Sequence, residues 1–142
     1  VTKMKATNAV IGGEGNGGVI YPESHYGRDA LVGVGLFLSH FVAEGKSMTV
    51  LKATYPQYFI SKNKLTLSPD MDVDKILEGL KKKYASEEIT DIDGVKIDFK
   101  DGWVHLRKSN TEPIIRIYSE SKDEAAANQL AEEVIKVAQS LY

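Results

Sequence analysis

Hydrophobic and polar positions in the second half of the chain follow two different periods. Apolar residues recur at helical spacing over residues 73–84, which predicts an amphipathic helix with one buried face. Over residues 95–99 apolar and charged residues alternate instead, as they do in a half-buried strand. Asp101-Gly102 then predicts a hairpin turn. The pattern predicts a compact α+β domain over residues 69–142.

Two further strands are predicted after this turn. Because successive side chains of a strand point to opposite faces, each strand has a buried and an outward set. The predicted buried set is Val104, Leu106, Ile115 and Ile117. The predicted outward set is Trp103, His105, Arg107, Arg116 and Tyr118.

A final helix is predicted beyond the third strand. Ser121 and Glu124 have the spacing of a capping box, in which each side chain bonds a backbone N–H at the start of a helix. The predicted inner face of this helix consists of Ala127, Leu130, Val134, Val137 and Leu141.

The first half of the chain has a different pattern. Residues 9–11 predict a short strand that enters a glycine-rich loop. A helix is predicted from Gly27 to Glu44, with Asp29 near its start and Gly45 placed to end it. This helix is apolar on most of its circumference, and such a helix is normally buried on several sides. Beyond it, Ser47 is placed to begin a short helix, and residues 58–60 and 64–67 look extended.

Composition and charge narrow the class of protein. A net charge of −2 over 142 residues argues against a protein that holds nucleic acid through its overall field. The chain has no cysteine, which excludes a disulfide framework and a thiolate metal site and fits a cytoplasmic protein. No apolar run is long enough to span a bilayer. We therefore expect neither a nucleic-acid partner nor a membrane partner.

The segment from Arg107 to Pro113 carries the most specific chemistry. Arginine presents a planar fork of donors that matches two phosphate oxygens at once. Ser109 and Thr111 add hydroxyl donors, and a tight turn can aim backbone N–H groups into one concavity that holds an anion. These residue types suit a phosphate monoester. By themselves they also fit an ordinary turn before a proline.

Two segments resemble parts of the α-D-phosphohexomutases, which include phosphoglucomutases, phosphomannomutases and phosphoglucosamine mutases. One is similar to the phosphate-binding loop of the fourth and last domain of that family: Arg107-Lys108-Ser109-Asn110-Thr111-Glu112-Pro113-Ile114-Ile115-Arg116. The other is similar to the sugar-recognition loop of the third domain: Gly12-Gly13-Glu14-Gly15-Asn16-Gly17-Gly18. The resemblance covers essentially the whole chain.

The resemblance implies an activity and a set of site residues. Phosphohexomutases are isomerases that move a phosphoryl group between the 1- and 6-positions of a hexose phosphate through a bisphosphate intermediate. The implied sugar-binding residues are Glu14, Asn16 and Gly18, and the implied phosphate-binding residues are Arg107, Ser109, Asn110 and Thr111, with His25 and Arg116 in possible support. Many members have Ser in place of Asn16 and His in place of Gly18, which leaves the preferred hexose open.

The resemblance also implies a fold and a domain order. The carboxy-terminal domain resembles the fourth domain of phosphohexomutases, which is similar to the TATA-binding protein. A strand-loop-helix remnant of the α/β third domain precedes it. We expect the remnant over residues 1–45, an interdomain connection over residues 46–68 and the phosphate-binding domain over residues 69–142.

The family's phosphorylatable serine and its Asp-rich magnesium loop have no counterpart in this sequence. The chain therefore looks like a carboxy-terminal piece whose partners are a hexose phosphate and the remaining domains of a parent enzyme. We expect Mg²⁺ to be bound by the missing loop, and neither a metal site nor a catalytic residue in this chain. The apolar helix from Gly27 to Glu44 is expected to self-associate or to pack on the connection near residues 55–60.

Two other classes of protein use similar residues. A free-standing phosphate- or phosphopeptide-binding module could contain the same Arg-Ser-Asn-Thr turn, although it has no need of the sugar loop around Glu14 and Asn16. An RNA-binding α+β domain would need exposed aromatic side chains and a basic face, and this chain offers Trp103 with a balanced charge.

We predict that the 142-residue polypeptide alone has no mutase activity, because the residues that donate the phosphoryl group and hold the metal are missing from it. The measurement is turnover of glucose, mannose and glucosamine phosphates by the purified chain. Turnover of any of these sugars would contradict the prediction.

Overall fold

The computed structural model describes residues 1–13, 17–68 and 71–141, which fold as two compact units, Val1–Pro56 and Gln57–Tyr142. The elements of the first unit are α1 (Thr2–Thr7), β1 (Gly12–Gly13), β2 (Val19–Ile20), α2 (Ala30–Glu44) and α3 (Met48–Ala53). The elements of the second unit are β3 (Phe59–Thr66), α4 (Val73–Lys83), β4 (Glu88–Thr90), β5 (Val95–Phe99), β6 (Gly102–Lys108), β7 (Ile114–Ser121) and α5 (Glu124–Gln139).

The second unit is a five-stranded antiparallel sheet with helices on one face. The strand order is β3-β7-β6-β5-β4, and α5 contacts β7, β3 and β6 while α4 contacts β5 and α5. The core between the helices and the sheet is formed by Leu65, Val73, Ile76, Leu80, Val104, Leu106, Ile115, Ile117, Val134 and Ala138. The predicted α+β class and the predicted strand faces are confirmed.

Strand β3 was not expected as part of this domain. The predicted interdomain connection over residues 46–68 contains this strand, because Phe59–Thr66 pairs along its whole length with β7. Leu65 is its only buried residue, and lysines at positions 62 and 64 point away from the core. An edge strand with one buried side chain lacks the apolar alternation that identifies a strand in a sequence.

The predicted capping box of Ser121 and Glu124 is wrong. Asp123 is the N-cap, and its Oδ1 accepts a hydrogen bond from the Ala126 N–H at 2.7 Å. Ser121 ends β7 instead, where its hydroxyl donates to the Asp101 carbonyl at 2.7 Å. The pairing of β7 with β6 extends through Ser121, so this residue is held in the sheet and cannot cap the helix.

The buried face of α5 also differs from the predicted one. It consists of Ala127, Ala131, Val134 and Ala138, whereas Leu130 and Val137 are half-buried and Leu141 is exposed. The Ser119 hydroxyl, which is fully buried, donates to the Ala127 carbonyl at 2.7 Å. This bond holds the helix close to the sheet, where alanine fits and a larger side chain would not.

The first unit contains the predicted apolar helix with a later start. Asp29 caps α2 by accepting from the Val32 N–H at 3.0 Å, and Gly45 ends it with φ +61°. None of the residues in α2 is buried, and Leu31 is 84% exposed. Its expected self-association stays a prediction. Among the described residues, no helix has the length and apolarity needed to cross a membrane.

The predicted strand over residues 9–11 is wrong, since strand pairing begins at Gly12. Asn8 adopts φ 51° at the end of α1, and the Ala9 N–H donates to the Met4 carbonyl at 2.9 Å. These residues therefore terminate a helix, and hydrogen bonds to α1 occupy backbone that a strand would use.

Gly94 closes the turn between β4 and β5 with φ +79°. A Cβ at this position would lie 2.2 Å from the Leu106 carbonyl oxygen, which belongs to the rigid backbone of β6. We predict that Gly94→Ala lowers the free energy of unfolding by about 1–3 kcal/mol, because strain and overlap add. The measurement is urea unfolding followed by the fluorescence of Trp103, the single tryptophan.

Gly79→Ala is the matched control, because its Cβ would meet only the movable side chain of Leu141 at 2.8 Å. Alanine also favours the helix by about 1 kcal/mol over glycine, so this variant should be nearly as stable as the wild type or more stable. Equal stability losses at both positions would contradict the structural reason given for Gly94.

Candidate functional site

The candidate anion loop, residues 109–113, joins β6 to β7. The Ser109 N–H donates to the Ile114 carbonyl at 2.9 Å, and the Ile114 N–H donates to the Glu112 carbonyl at 2.8 Å. The Pro113 carbonyl accepts from the Leu67 N–H, also at 2.9 Å. Both ends of the loop are thus fixed to the sheet, which restricts the positions of the side chains between them.

The predicted hydroxyl donors lie close together in this loop. The Ser109 Oγ is 3.5 Å from the Thr111 Oγ1, and it accepts a hydrogen bond from the Thr111 N–H at 3.4 Å. Thr111 and Asn110 are exposed and Ser109 is half-buried. The hydrogen bonds between Ser109 and Thr111 are long and therefore weak. A stronger acceptor such as a phosphate oxygen can replace them.

Two arginines lie side by side next to the loop. Arg107 on β6 and Arg116 on β7 are directly opposed in the antiparallel register, so their side chains share the face that points away from the core. Together with His105 and Tyr118 they line a pocket of about 130 Å³. Paired guanidinium groups beside a hydroxyl-rich turn concentrate positive charge and hydrogen-bond donors at one point.

Among the described residues, each of these arginines has one carboxylate partner. Arg107 Nη1 donates to Asp93 Oδ2 at 2.8 Å, and this hydrogen bond raises the pKa of Arg107 above its ordinary value. Arg116 Nη2 donates to Glu112 Oε2 at 3.3 Å. Both arginine side chains keep about half of their surface exposed. Since a guanidinium has five N–H donors, a single carboxylate contact leaves others available to an anion.

Asp93 is a site residue that the sequence analysis did not identify. Its backbone carbonyl accepts from His105 Nε2 at 2.6 Å, and its carboxylate holds Arg107, so one turn contacts two outward side chains of β6. The signal was present in the sequence, because Asp93-Gly94 is the same hairpin-forming dipeptide as Asp101-Gly102. This dipeptide predicts the turn, but it does not predict the contacts of Asp93 with His105 and Arg107.

The glycine loop lies in the first unit, between two short strands. Gly12 pairs with Ile20 and Gly13 pairs with Val19, which brings the two ends of the loop together. Glu14 and Asn16, the predicted sugar-binding residues, fall outside the described residues. Gly18 is half-buried at the end of the loop, immediately before β2.

His25 is linked to this loop through Asp29. The Asp29 N–H donates to the Val19 carbonyl at 2.8 Å, and its carboxylate Oδ2 is 3.1 Å from His25 Nε2. Because His25 Nδ1 accepts from the Gly27 N–H at 3.0 Å, Nε2 carries the proton and donates to Asp29. The bonds to Val32 and then to His25 lower the pKa of Asp29. The ring of His25 is thereby oriented by two hydrogen bonds.

The predicted residues therefore form two groups. Arg107, Arg116 and the loop over residues 109–111 belong to the second unit, whereas Gly18 and His25 belong to the first. Within the residues that the structure describes, no group of three or more His, Asp and Glu side chains is arranged to hold a metal ion.

Comparison with known families identifies both units. A sequence model described as "Phosphoglucomutase/phosphomannomutase, C-terminal domain" matches residues 64–137. A second, described as "Phosphoglucomutase/phosphomannomutase, alpha/beta/alpha domain III", matches residues 1–58. The chain belongs to the phosphoglucomutase/phosphomannomutase family, which confirms the resemblance seen in the two loops.

Individual relatives agree with this assignment. The chain is 40% identical over 137 residues to a phosphoglucosamine/phosphogalactosamine mutase of Sulfurisphaera tokodaii, a match covering 95% of the chain and 30% of the relative. It is 42% identical over 132 residues to a phosphoglucomutase/phosphomannomutase of Thermococcus kodakarensis, covering 92% of the chain and 28% of the relative. The chain thus spans less than a third of the length of these relatives.

A solved structure supports the fold. The crystal structure of a phosphoglucomutase/phosphomannomutase family protein from Burkholderia thailandensis matches 97% of this chain with a TM-score of 0.69 and 25% sequence identity. The match covers 30% of that protein.

We predict that Asp93→Ala increases the mobility of the Arg107 side chain, because the mutation removes the carboxylate that holds Nη1. The measurement is ¹⁵N relaxation of the arginine Nε–H groups, which reports motion on the picosecond to nanosecond timescale. Arg116 is an internal control, since Glu112 and not Asp93 holds it.

The expected result is a lower order parameter for Arg107 with no change for Arg116. Exposed ion pairs are often too weak to restrict a side chain. An unchanged Arg107 order parameter in Asp93→Ala would show that this pair belongs to the weak class and does not orient the guanidinium.

Proposed function

We propose that this chain forms the sugar- and phosphate-binding carboxy-terminal part of a phosphohexomutase. The observation that carries the proposal is the pair of opposed arginines, Arg107 and Arg116, beside the hydroxyl-rich loop. The family membership of both units supports a hexose phosphate as the substrate. The names of the relatives include glucosamine, galactosamine, glucose and mannose forms, so the proposal extends to the class and not to one sugar.

The phosphate contacts follow from the donors in the second unit. Arg107 would bind two phosphate oxygens through its free N–H groups while Asp93 holds the far side of the guanidinium. Ser109, Asn110 and Thr111 would donate from the loop through their hydroxyl and amide groups. Arg116 would add a second positive charge from β7. This is the donor set expected for a dianionic phosphate monoester.

Binding at this position would act on catalysis at a distance. The bound phosphate is the one that does not react, so its contacts fix the orientation of the sugar relative to the reacting group. A closed site would also keep water from the phosphoryl group during transfer. The chain's own residues would therefore hold and orient the substrate and would not make or break a bond.

The proposed role of the first unit is recognition of the sugar. Glu14 would accept hydrogen bonds from hydroxyl groups, and Asn16 would both donate and accept. Gly18 completes the loop, and His25 would support it through Asp29 and the Val19 carbonyl. We assign Mg²⁺ to the Asp-rich loop of the family, which has no counterpart in this sequence and would belong to another part of the parent enzyme.

A free-standing phosphate- or phosphopeptide-binding module is the alternative. Such a module would account for the loop at residues 109–111 alone. The match of the first unit to domain III of the same family supports the mutase proposal over it.

We predict that Arg107→Lys in the full-length enzyme lowers kcat/KM for a hexose phosphate, although the charge is kept. Lysine cannot make the two-pronged contact, and the loss of one charge-assisted hydrogen bond corresponds to roughly a 10- to 150-fold decrease. Lys100→Arg is the control, since residue 100 lies in the β5–β6 turn at the opposite end of the sheet. An unchanged kcat/KM in Arg107→Lys would contradict the assignment of this residue as the phosphate ligand.

A further inference from the structure

The face of the sheet that points away from α4 and α5 carries an ordered row of three cations. Lys64 on β3 is directly opposed to Arg116 on β7, and Arg116 is directly opposed to Arg107 on β6. Directly opposed residues of antiparallel strands point to the same face. We call Lys64, Arg116 and Arg107 the cation row; it lies across three strands at the end of the sheet that adjoins the loop over residues 109–113.

The charge changes sign along this face. The next row inward contains Lys62, Tyr118, His105 and Lys96, with the Lys62 amino group 5.8 Å from the centre of the Tyr118 ring. The row after it contains Ile60, Glu120, Trp103, Asp98 and Glu88. The carboxylates of this face, Glu120, Asp98 and Glu88, thus lie in the row furthest from the loop, whereas the two rows nearer the loop carry lysines and arginines.

Lys64 differs from the two arginines in its partners. Within the described part of the chain, Arg107 and Arg116 each have one carboxylate in ion-pair contact, from Asp93 and Glu112 respectively. Lys64 is exposed, and among the described residues it forms no ion pair. The net charge of the cation row with its two carboxylates therefore stays positive, and the excess charge lies at Lys64.

The cation row lowers the stability of the sheet when no anion is bound. The Cβ atoms of directly opposed strand residues lie about 4.5–5.5 Å apart, and like charges at that spacing destabilise a sheet. A bound anion would remove the repulsion. Selection for stability alone would not favour such a row of like charges. Selection for anion binding next to the loop would favour it.

We propose that Lys64 is a further phosphate-binding residue, which extends the anion site from the loop onto the outer face of β3. This inference rests on the proposed phosphate-binding function of Arg107. The flexible ammonium group of Lys64 would contribute a point charge, whereas the arginines contribute directed pairs of donors. The cation row spans three strands beside one loop, so the ligand we propose is a single phosphate group.

The experiment titrates the full 142-residue chain with inorganic phosphate and follows amide chemical shifts at residues 107–116. Three variants are compared with the wild type: Lys64→Gln, Lys64→Arg and the control Lys100→Gln. Lys64→Gln should bind phosphate about two- to fivefold more weakly, the size expected for one exposed charge pair. Lys64→Arg should bind about as well as the wild type, and so should Lys100→Gln.

Thermal stability without phosphate gives an independent readout. Because Lys64→Gln removes a repulsion, it should raise the Tm of the second unit while it weakens phosphate binding. A lysine with a merely structural role would lower Tm when replaced, or leave phosphate affinity unchanged.

The outcomes separate the two proposals. If phosphate shifts the wild-type loop and Lys64→Gln binds as well as the wild type, the role of Lys64 is overturned and the proposed function stands. If Lys64→Gln and Lys100→Gln weaken binding equally, the effect is one of net charge, and the role of Lys64 is again overturned. If phosphate causes no shift at residues 107–116 in the wild type, both proposals are overturned.

Discussion

The register between β6 and β7 is the constraint on which the rest of the second unit depends. Leu106 opposes Ile117 on the core side, and Arg107 opposes Arg116 on the outer side. Because side chains alternate strictly along a strand, a one-residue slip of β7 against β6 would move Arg116 into the core and Ile117 into water. Burial of the aliphatic residues thus fixes the position of the arginines, and the stability of the core is what aligns the proposed anion site.

The two faces of the sheet differ in composition. The inner face is covered by α4 and α5 and contains the aliphatic core, while the outer face, which points away from α4 and α5, carries charged and aromatic side chains. Carboxylates contributed by turns, Asp93 and Glu112, balance part of the charge on the outer face. This balance keeps opposed arginines compatible with a stable sheet while leaving donors for a ligand.

Sequence reasoning succeeded where one local signal was enough. The alternation in β5, β6 and β7 and the periodicity in α4 predicted the elements and their faces, and so Arg107 and Arg116 were correctly placed outward. It failed where the deciding contact was distant in the chain. Residues 58–60 and 64–67 were expected to be extended, but only the pairing with β7 shows that β3 belongs to this sheet. Ser121 cannot cap the helix because its hydroxyl and backbone are held in the sheet.

The sequence by itself determined the class of fold and, through its two loop motifs, indicated the family, because hydrophobic period and short motifs are local properties of the chain. The tertiary structure alone decided which charges become neighbours. Lys64, Asp93 and Arg116 come from three different segments. Strand pairing sets Arg116 between Lys64 and Arg107, and the closed turn brings Asp93 to Arg107. The electrostatics of the site follow from distances in space, which spacing along the sequence does not specify.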